Sequence, residues 1–387
     1  MLMSISLPSM KRAKLIFACS LLLPLAATTS AVEPKVSLKM PKVEKSLLLD
    51  VKTAGDRLVA VGERGHILFS DDQAQTWTQA DVPLSQMITS VSFANEKEGW
   101  AVSHDAHILH TVDGGQSWTL QRDGLGAQSE ANIRKIKSTK LQIAELTSKL
   151  QSNTDPDMIA ELETAIDDAK WELESAVEKS RTAPIANPLL DVWFMDTKRG
   201  WAVGAFGRFL YTKNGGISWH DASDTLNNEM GYHLNAVAGS KDGTIYIGGE
   251  AGFLLYSNDA GQTWNKADWD SESTIFDIAT SEDGQQVYST GLRAQTYRSS
   301  DKGVSWQKIN PEVNFSLAGV TVQKNGRLLL VGAGGSVAYS TDGGDDFTEY
   351  NLPSRSSLSN AVGLKNGQYV IVGEGGIYTF DPKATAQ

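Results

Sequence analysis

The chain has 387 residues, a formal net charge of −11, 35 glycines, ten tryptophans and one cysteine. The acidic excess excludes a protein that clamps nucleic-acid phosphates, and one cysteine excludes a disulfide framework. After the first thirty residues no apolar run approaches the roughly 20 residues needed to cross a bilayer as a helix.

Residues 1–31 read as a secretory signal, with the start at Met1 or Met10. Lys11-Arg12-Ala13-Lys14 is a basic n-region, Leu15 to Ala27 an apolar stretch, and Thr29-Ser30-Ala31 offers small residues for cleavage near Ala31. The single cysteine, Cys19, lies inside it, and Phe17 argues against a lipoprotein box. Cleavage removes Lys11, Arg12 and Lys14, taking the formal charge from −11 to about −14. An exported chain without disulfides points to a bacterial periplasm.

From about Leu47 an eight-residue stretch recurs. Its cleanest copy is Ser257-Asn258-Asp259-Ala260-Gly261-Gln262-Thr263-Trp264. The others run Ser70 to Trp77, Thr111 to Trp118, Thr212 to Trp219, Ser299 to Trp306 and Ser340 to Phe347. The closing aromatics stand at 77, 118, 219, 264, 306 and 347, giving steps of 41, 101, 45, 42 and 41. A second motif, V-G-E-x-G-x-I, precedes each box by about eleven residues, with a seven-member column of Gly62, Ser103, Gly204, Gly249, Gly291, Gly332 and Gly373. A period near forty is that of a four-stranded propeller blade. Alternating apolar runs bounded by Gly, Asp and Asn read as antiparallel strands, with the box as the turn between strands three and four.

In such a turn Asp72, Asp113, Asn214, Asp259, Asp301 and Asp342 accept backbone N–H bonds. Trp77, Trp118, Trp219, Trp264 and Trp306 fill the space between neighbouring blades. The box is therefore read as a folding device, and its acids as structural rather than catalytic.

Blades 1 and 2 occupy 47–127, and blades 3 to 7 occupy 183–380. Trp100 and Trp201 are expected between sheets. The last unit, Asn360 to Phe380, has no box, so residues 32–46 are expected to supply its outer strand and close the ring; 381–387 reads as a tail.

Between blades 2 and 3 the period breaks. Residues 128–182 lose their glycines and turn rich in Ala, Glu, Lys and Leu. Ile159, Leu162, Ile166, Ala169, Leu173 and Ala176 are spaced 3, 4, 3, 4 and 3, and Ile133, Ile136, Ile143 and Leu150 form a looser seam. Asp155-Pro156 starts the second helix as N-cap and first helical residue. Residues 129–151 carry net +3 and 157–180 net −6, so an antiparallel coiled-coil hairpin is expected, an arm about 35 Å long. Trp171, two residues past the seam position Ala169, faces away from the partner helix as a candidate contact.

Loops joining strands two and three share a propeller face with the links between blades. The candidate partner-binding residues on that face are Glu63, Arg64, His104, Asp105, Phe206, Arg208, Glu250, Arg293 and Glu374. His104, His107 and His110 are spaced by three, which alternates faces on a strand, so no metal site is assigned, nor any cofactor.

The motifs Gly200-Trp201-Ala202-Val203-Gly204-x-x-Gly207 and Tyr211 to Trp219, with the seven-fold period, resemble the photosystem II assembly and stability factor family of BNR/Asp-box propellers. The resemblance covers about Leu47 to Phe380 apart from the insert. It implies an exported, non-enzymatic, seven-bladed propeller that binds a membrane-protein subunit during assembly, through an arginine patch to which only Arg64, Arg208 and Arg293 correspond here. The insert departs from the pattern.

The fold expected is therefore all-β, a seven-bladed β-propeller with an inserted antiparallel α-helical hairpin. The function expected is a periplasmic scaffold for a membrane-associated complex, not an enzyme. The alternative is an exported sialidase-like glycoside hydrolase, since sialidases share the box. That chemistry needs an arginine cluster, a Tyr nucleophile with a Glu partner and an acid Asp; the arginines here are few and scattered, and seven units are counted where sialidases have six.

Overall fold

The computed structural model describes residues 36–384 except Lys324. The signal segment, Cys19, and 385–387 of the expected tail lie outside the described residues.

Among the described residues seven antiparallel sheets follow in chain order, six of four strands and a last one of three. Their first strands are Leu48–Ala54, Ile88–Phe93, Leu189–Phe194, Leu234–Gly239, Ile275–Thr280, Leu317–Val322 and Leu358–Gly363. Each packs against the next, and the seventh against the first, so the sheets form a closed ring of blades. The core is divided accordingly into seven clusters of buried apolar side chains, one at each seam between blades. At the seam of blades 2 and 3 the fully buried Trp100 stacks on Phe194 at 3.6 Å.

Each box is a turn whose polar side chains bond within the turn itself. In blade 4 the Ser257 hydroxyl donates to Asp259 Oδ1 (2.8 Å) and accepts from the Gly261 N–H (2.9 Å). Asp259 also accepts from the Gln262 and Thr263 N–H groups and from the Thr263 hydroxyl. Gly261 sits at φ +79°, and a Cβ there would lie 2.8 Å from Trp201 Nε1. Donors of the turn itself, the Thr263 hydroxyl first, hold the Asp259 carboxyl down to about 2. Each box aromatic packs in the seam with the preceding blade: Trp118 with blade 1, Trp219 with blade 2, Trp264 with blade 3.

Ring closure differs from the expectation. Among the described residues blade 7 keeps three strands, and 36–46 do not pair with its third strand, Gly376–Phe380. The segment runs along blade 1 instead. The Ser37 N–H donates to Val82 O, Lys39 Nζ to Ala80 O, and Gln79 Nε2 to Leu38 O. A short 3₁₀ turn, Val43–Lys45, then buries Val43 between blades 7 and 1 with Leu48, Val370 and Val372. Lys42 at φ 58° and this turn break the extended backbone that a strand requires. The box-less seam between blades 6 and 7 is filled by Phe380, edge-on to Tyr350 at 5.2 Å.

Side chains of the first strands bond sideways at every seam. Asp50 accepts from the Val91 N–H of blade 2 (3.0 Å) and from Asn360 Nδ2 of blade 7 (2.8 Å). Thr89 donates to Leu189 O, Asp191 accepts from Val237 N–H, Asn235 donates to Ile275 O, Asp277 accepts from Val320 N–H, and Thr321 donates to Ala361 O. The first strands line an axial channel of about 330 Å³. Lys52 stands in it, 3.2 Å from Asp50. Desolvation opposes the Lys52 charge, but Asp50, Asp277 and Asp191 outweigh it and raise its pKa above the ordinary lysine range. Burial pushes Asp191 up to about 6 and Asp277 up to about 7, with Lys52 opposing both. The single Ser90 hydroxyl lies within reach of both Asp50 (3.0 Å) and Asp191 (2.6 Å), so it cannot donate to the two carboxylates at once.

The insert is a helical hairpin, α1 (Gly124–Ser152) and α2 (Pro156–Arg181). Asp155 caps α2 through the Asp157 N–H, with Pro156 at the first position, as expected. The α2 seam is as read, with Ile166, Ala169 and Ala176 buried. The α1 seam is not. Ile133 is exposed, Thr139 is buried, and the inward positions are Ile136, Thr139, Ile143, Leu146 and Leu150. Their spacing is the same 3, 4, 3, 4; a threonine in the middle hid it, and α1 begins at Gly124 rather than 128. Lys135 pairs with Glu172 across the hairpin at 2.7 Å.

Two outcomes test these features. The buried Thr139 hydroxyl lacks a hydrogen-bond partner, so Thr139→Val should stabilise the arm by about 1 kcal/mol, read by amide exchange in α1. Asp191 and Asp277 have folded pKa values above the ordinary 3.8. Their contribution to stability is therefore complete below about 3.8 and lost as the pH rises through about 6 and about 7. Lys52→Met should move the Asp277 carboxyl titration, followed by carbon-13 NMR, further upward; a downward move would contradict the assignment.

Candidate docking surface

The loops between strands two and three form tight tips on one face. Each tip closes by a backbone bond, such as His66 N–H to Glu63 O or Phe253 N–H to Glu250 O. The residue at the apex takes the left-handed conformation: Arg64 (φ 53°), Phe206 (φ 56°), Ala251 (φ 50°), Arg293 (φ 56°) and Gly334 (φ 67°). For a non-glycine residue this conformation is strained by roughly 1–2 kcal/mol. The fold imposes it on the non-glycine residues Arg64, Phe206, Ala251 and Arg293, whose side chains are exposed.

The nine tip residues divide by what they touch. Glu63, Glu250 and Glu374 each accept from the N–H just before their own blade's first strand, from Leu47 (3.2 Å), His233 (2.8 Å) and Ser357 (3.1 Å). These three are built into the fold by one repeated bond. Arg208 pairs with Asp221, and Asp105 with the His104 ring at 3.2 Å. Arg64, Arg208 and Arg293 belong to blades 1, 3 and 5, so the ring separates them rather than gathering a patch. Phe206 is 65% exposed and lies edge-on to His233 at 4.7 Å.

The same face carries apolar residues that the tip columns did not contain. Met230 (75% exposed) lies in the link between blades 3 and 4, Phe315 covers Gly334 at the blade 6 tip, and Leu292 is at the blade 5 tip. The signal for Met230 was the step of 45 between Trp219 and Trp264, which lengthens that link beyond the usual 41 or 42. Next to Phe206 the face presents His233, and in the same link Tyr232 lies against Phe253 at 6.4 Å.

The arm rises from this face. A Cβ on Gly124 would lie 2.0 Å from Asp105 O, so the first residue of α1 rests on the blade 2 tip. The Gly124 N–H donates to His107 Nδ1 (3.1 Å), and Arg122 Nη1 to Ala106 O (2.6 Å). His107 is buried, and that burial lowers its pKa, against Asp123 and Asp105, which raise it. His104 is exposed, and His110 stacks on Trp100 at 4.8 Å. The three histidines therefore face three different surroundings, and among the described residues no group of three metal-ligating side chains converges.

On the arm Trp171 is 71% exposed. Its neighbours include Asp168 and Glu174 one turn away and Glu178 two turns away, for which no ion pair is found among the described residues. Four i,i+4 pairs on α2 are carboxylate on carboxylate: Asp157–Glu161, Glu163–Asp167, Asp168–Glu172 and Glu174–Glu178. Each such pair weakens the helix by a few tenths of a kcal/mol. On α1 the corresponding pairs are opposite in sign, Glu130–Arg134 and Glu145–Lys149. No described helix is long and apolar enough to cross a membrane.

A family model described as photosynthesis system II assembly factor YCF48 matches residues 34–151 and 170–307. The gap between the two stretches falls at the far end of the arm. The photosystem II assembly lipoprotein Ycf48 of Synechococcus sp. (strain CC9902) is 31% identical over 125 residues, 32% of this chain and 36% of the relative. The chloroplastic photosystem II stability/assembly factor HCF136 of Oryza sativa subsp. japonica is 36% identical over 94 residues, 23% of this chain and 22% of the relative. The chain thus aligns with only about a third or less of the length of these relatives. A solved structure of YCF48 bound to D1 peptide superposes with a TM-score of 0.58 at 18% identity, covering 87% of this chain and 93% of that one. YCF48 from Cyanidioschyzon merolae gives 0.58 at 16%, covering 90% and 99%. At these identities the structural likeness is one of fold, while the family model spans well over half of the residues. The chain belongs to the family described as photosynthesis system II assembly factor YCF48.

Proposed function

We propose that this chain is an exported, non-enzymatic scaffold, working in the periplasm, that holds a membrane-protein segment during assembly of a membrane-associated complex. The observation that carries the reading is the tip face with its arm: a strained apex presents Phe206, Met230 lies exposed in the link between blades 3 and 4, and Trp171 stands off the arm. Exposed aromatic and methionine side chains are enriched where partners dock. YCF48 in the solved complex holds a D1 peptide, and the curated relatives are named assembly or stability factors. The carboxylate-rich outer face of α2 favours a cationic stretch of the partner, which would relieve its like-charge pairs.

A glycoside hydrolase reading finds little support. The box carboxylates are occupied by their own turns, as Asp113 is by Ser117 and Thr111, and no arginine cluster gathers on the tip face. No cofactor is assigned to the reading.

Removing residues 128–182 should leave a cooperatively melting propeller that no longer recovers its partner from detergent-solubilised membranes. Equal recovery with and without the arm would contradict the proposal. Trp171→Ala and Phe206→Ala in the full chain should each weaken binding by about tenfold or more, the scale of an interface anchor. Turnover of fluorogenic sialosides, abolished by a tip substitution, would favour the hydrolase instead.

A further inference from the structure

The only described side chain that accepts the first N–H of α1 is a titratable one. Gly124 donates its N–H to His107 Nδ1 at 3.1 Å. Nδ1 must therefore be unprotonated, with the imidazole proton on Nε2. Asp123 Oδ1 lies 3.4 Å from the same Nδ1 and is also the helix cap, accepting the Leu125 N–H at 3.1 Å. His107 is packed beneath the arm, and a Cβ on Gly124 would collide with the blade 2 tip, so the two parts meet without slack.

We propose that His107 is a proton-operated latch that fixes the arm to the propeller at neutral pH and releases it on acidification. One proton from solvent, added at Nδ1, turns the acceptor into a donor. The Gly124 N–H then loses its partner. The new Nδ1–H faces Asp123 Oδ1, which can accept it while still capping Leu125. A single protonation thus removes the bond that ties the first N–H of α1 to the blade 2 tip and makes one ion pair outside the helix.

The charged groups around His107 set the direction. Asp105 from its own tip and Asp123 from the link favour the imidazolium, whereas Arg122 from the last strand of blade 2 disfavours it. Arg122 is itself held by Ala106 O and lies near the Arg208–Asp221 pair of blade 3; His104 is turned outward and engages Asp105. Burial, the largest influence, keeps the ring neutral below the ordinary histidine range, so the latch stays closed at neutrality. The sign follows by linkage. The folded-state pKa is lowered, so the latch's stabilisation is complete above about 6.5 and is lost as the pH falls through the folded value.

This inference rests on the arm being part of the docking surface, yet its test needs no partner. Amide exchange of the full chain is followed over Gly124 to Ala127 from about pH 8 to about pH 4.5, corrected for intrinsic rates, with His107 titrated in parallel by NMR. Protection should fall by about tenfold or more, the scale of lost buried hydrogen bonds, with its midpoint at the His107 titration. His107→Gln, which keeps an acceptor but does not titrate, should leave protection flat. The latch is refuted by protection that stays constant while His107 titrates, by a His107 that never titrates in this range, or by an equal fall in His107→Gln. If that variant does not fold, coincidence of the two wild-type midpoints decides. Failure here would leave the arm-deletion result untouched, so the latch and the docking reading fail separately.

Discussion

Seven blades stay in one ring because side chains of the innermost strands reach sideways to the next blade. Asp50 is the clearest case: it bonds blade 2 through Val91 and blade 7 through Asn360. A sheet offers its hydrogen bonds only within its own plane, so apolar packing alone would leave the blades free to slide. Directional bonds at each seam set the register of the blades, and seven apolar clusters supply the contact area around them. Asp191 and Asp277 do the same work for later seams, held in a channel where burial disfavours their charge and Lys52 opposes that effect.

The two ends of the ring then take different duties. At one end the boxes consume their polar groups internally, so Asp259 and its equivalents are fully engaged by the turns they build. At the other end the tips close with a single backbone bond and push an apex side chain outward in a strained conformation. Variation is tolerated at such an apex because the backbone, not the side chain, closes the turn. The arm is planted among these tips, with Gly124 resting on blade 2. Loops on a rigid scaffold are where binding residues are usually found, and the insert lengthens that surface by two helices.

Much of this was legible from residue spacing. Two motifs in one register gave the blade count, the turn position of the box and the face shared by the tips. The α2 seam was equally plain because its inward positions are apolar. Three features were hidden, each for a physical reason. The α1 seam passes through Thr139, a polar residue in a core position that breaks the apolar pattern. The segment around Val43 closes the ring with one buried side chain and a 3₁₀ turn, which carry no strand signature. The tip glutamates looked like a binding column, but Glu63, Glu250 and Glu374 bond backbone groups sixteen or seventeen residues away, a contact that only the folded blade creates.

The central claim is that partners meet the tip face and the arm, not the box face. A photo-crosslinking amino acid placed in turn at Phe206, at Trp171 and at Ile217, an exposed residue of the blade 3 box, tests this directly in membranes. The account predicts adducts to the same membrane protein from the first two positions and none from Ile217. Adducts from Ile217 alone would place the working surface at the other end of the propeller and contradict it.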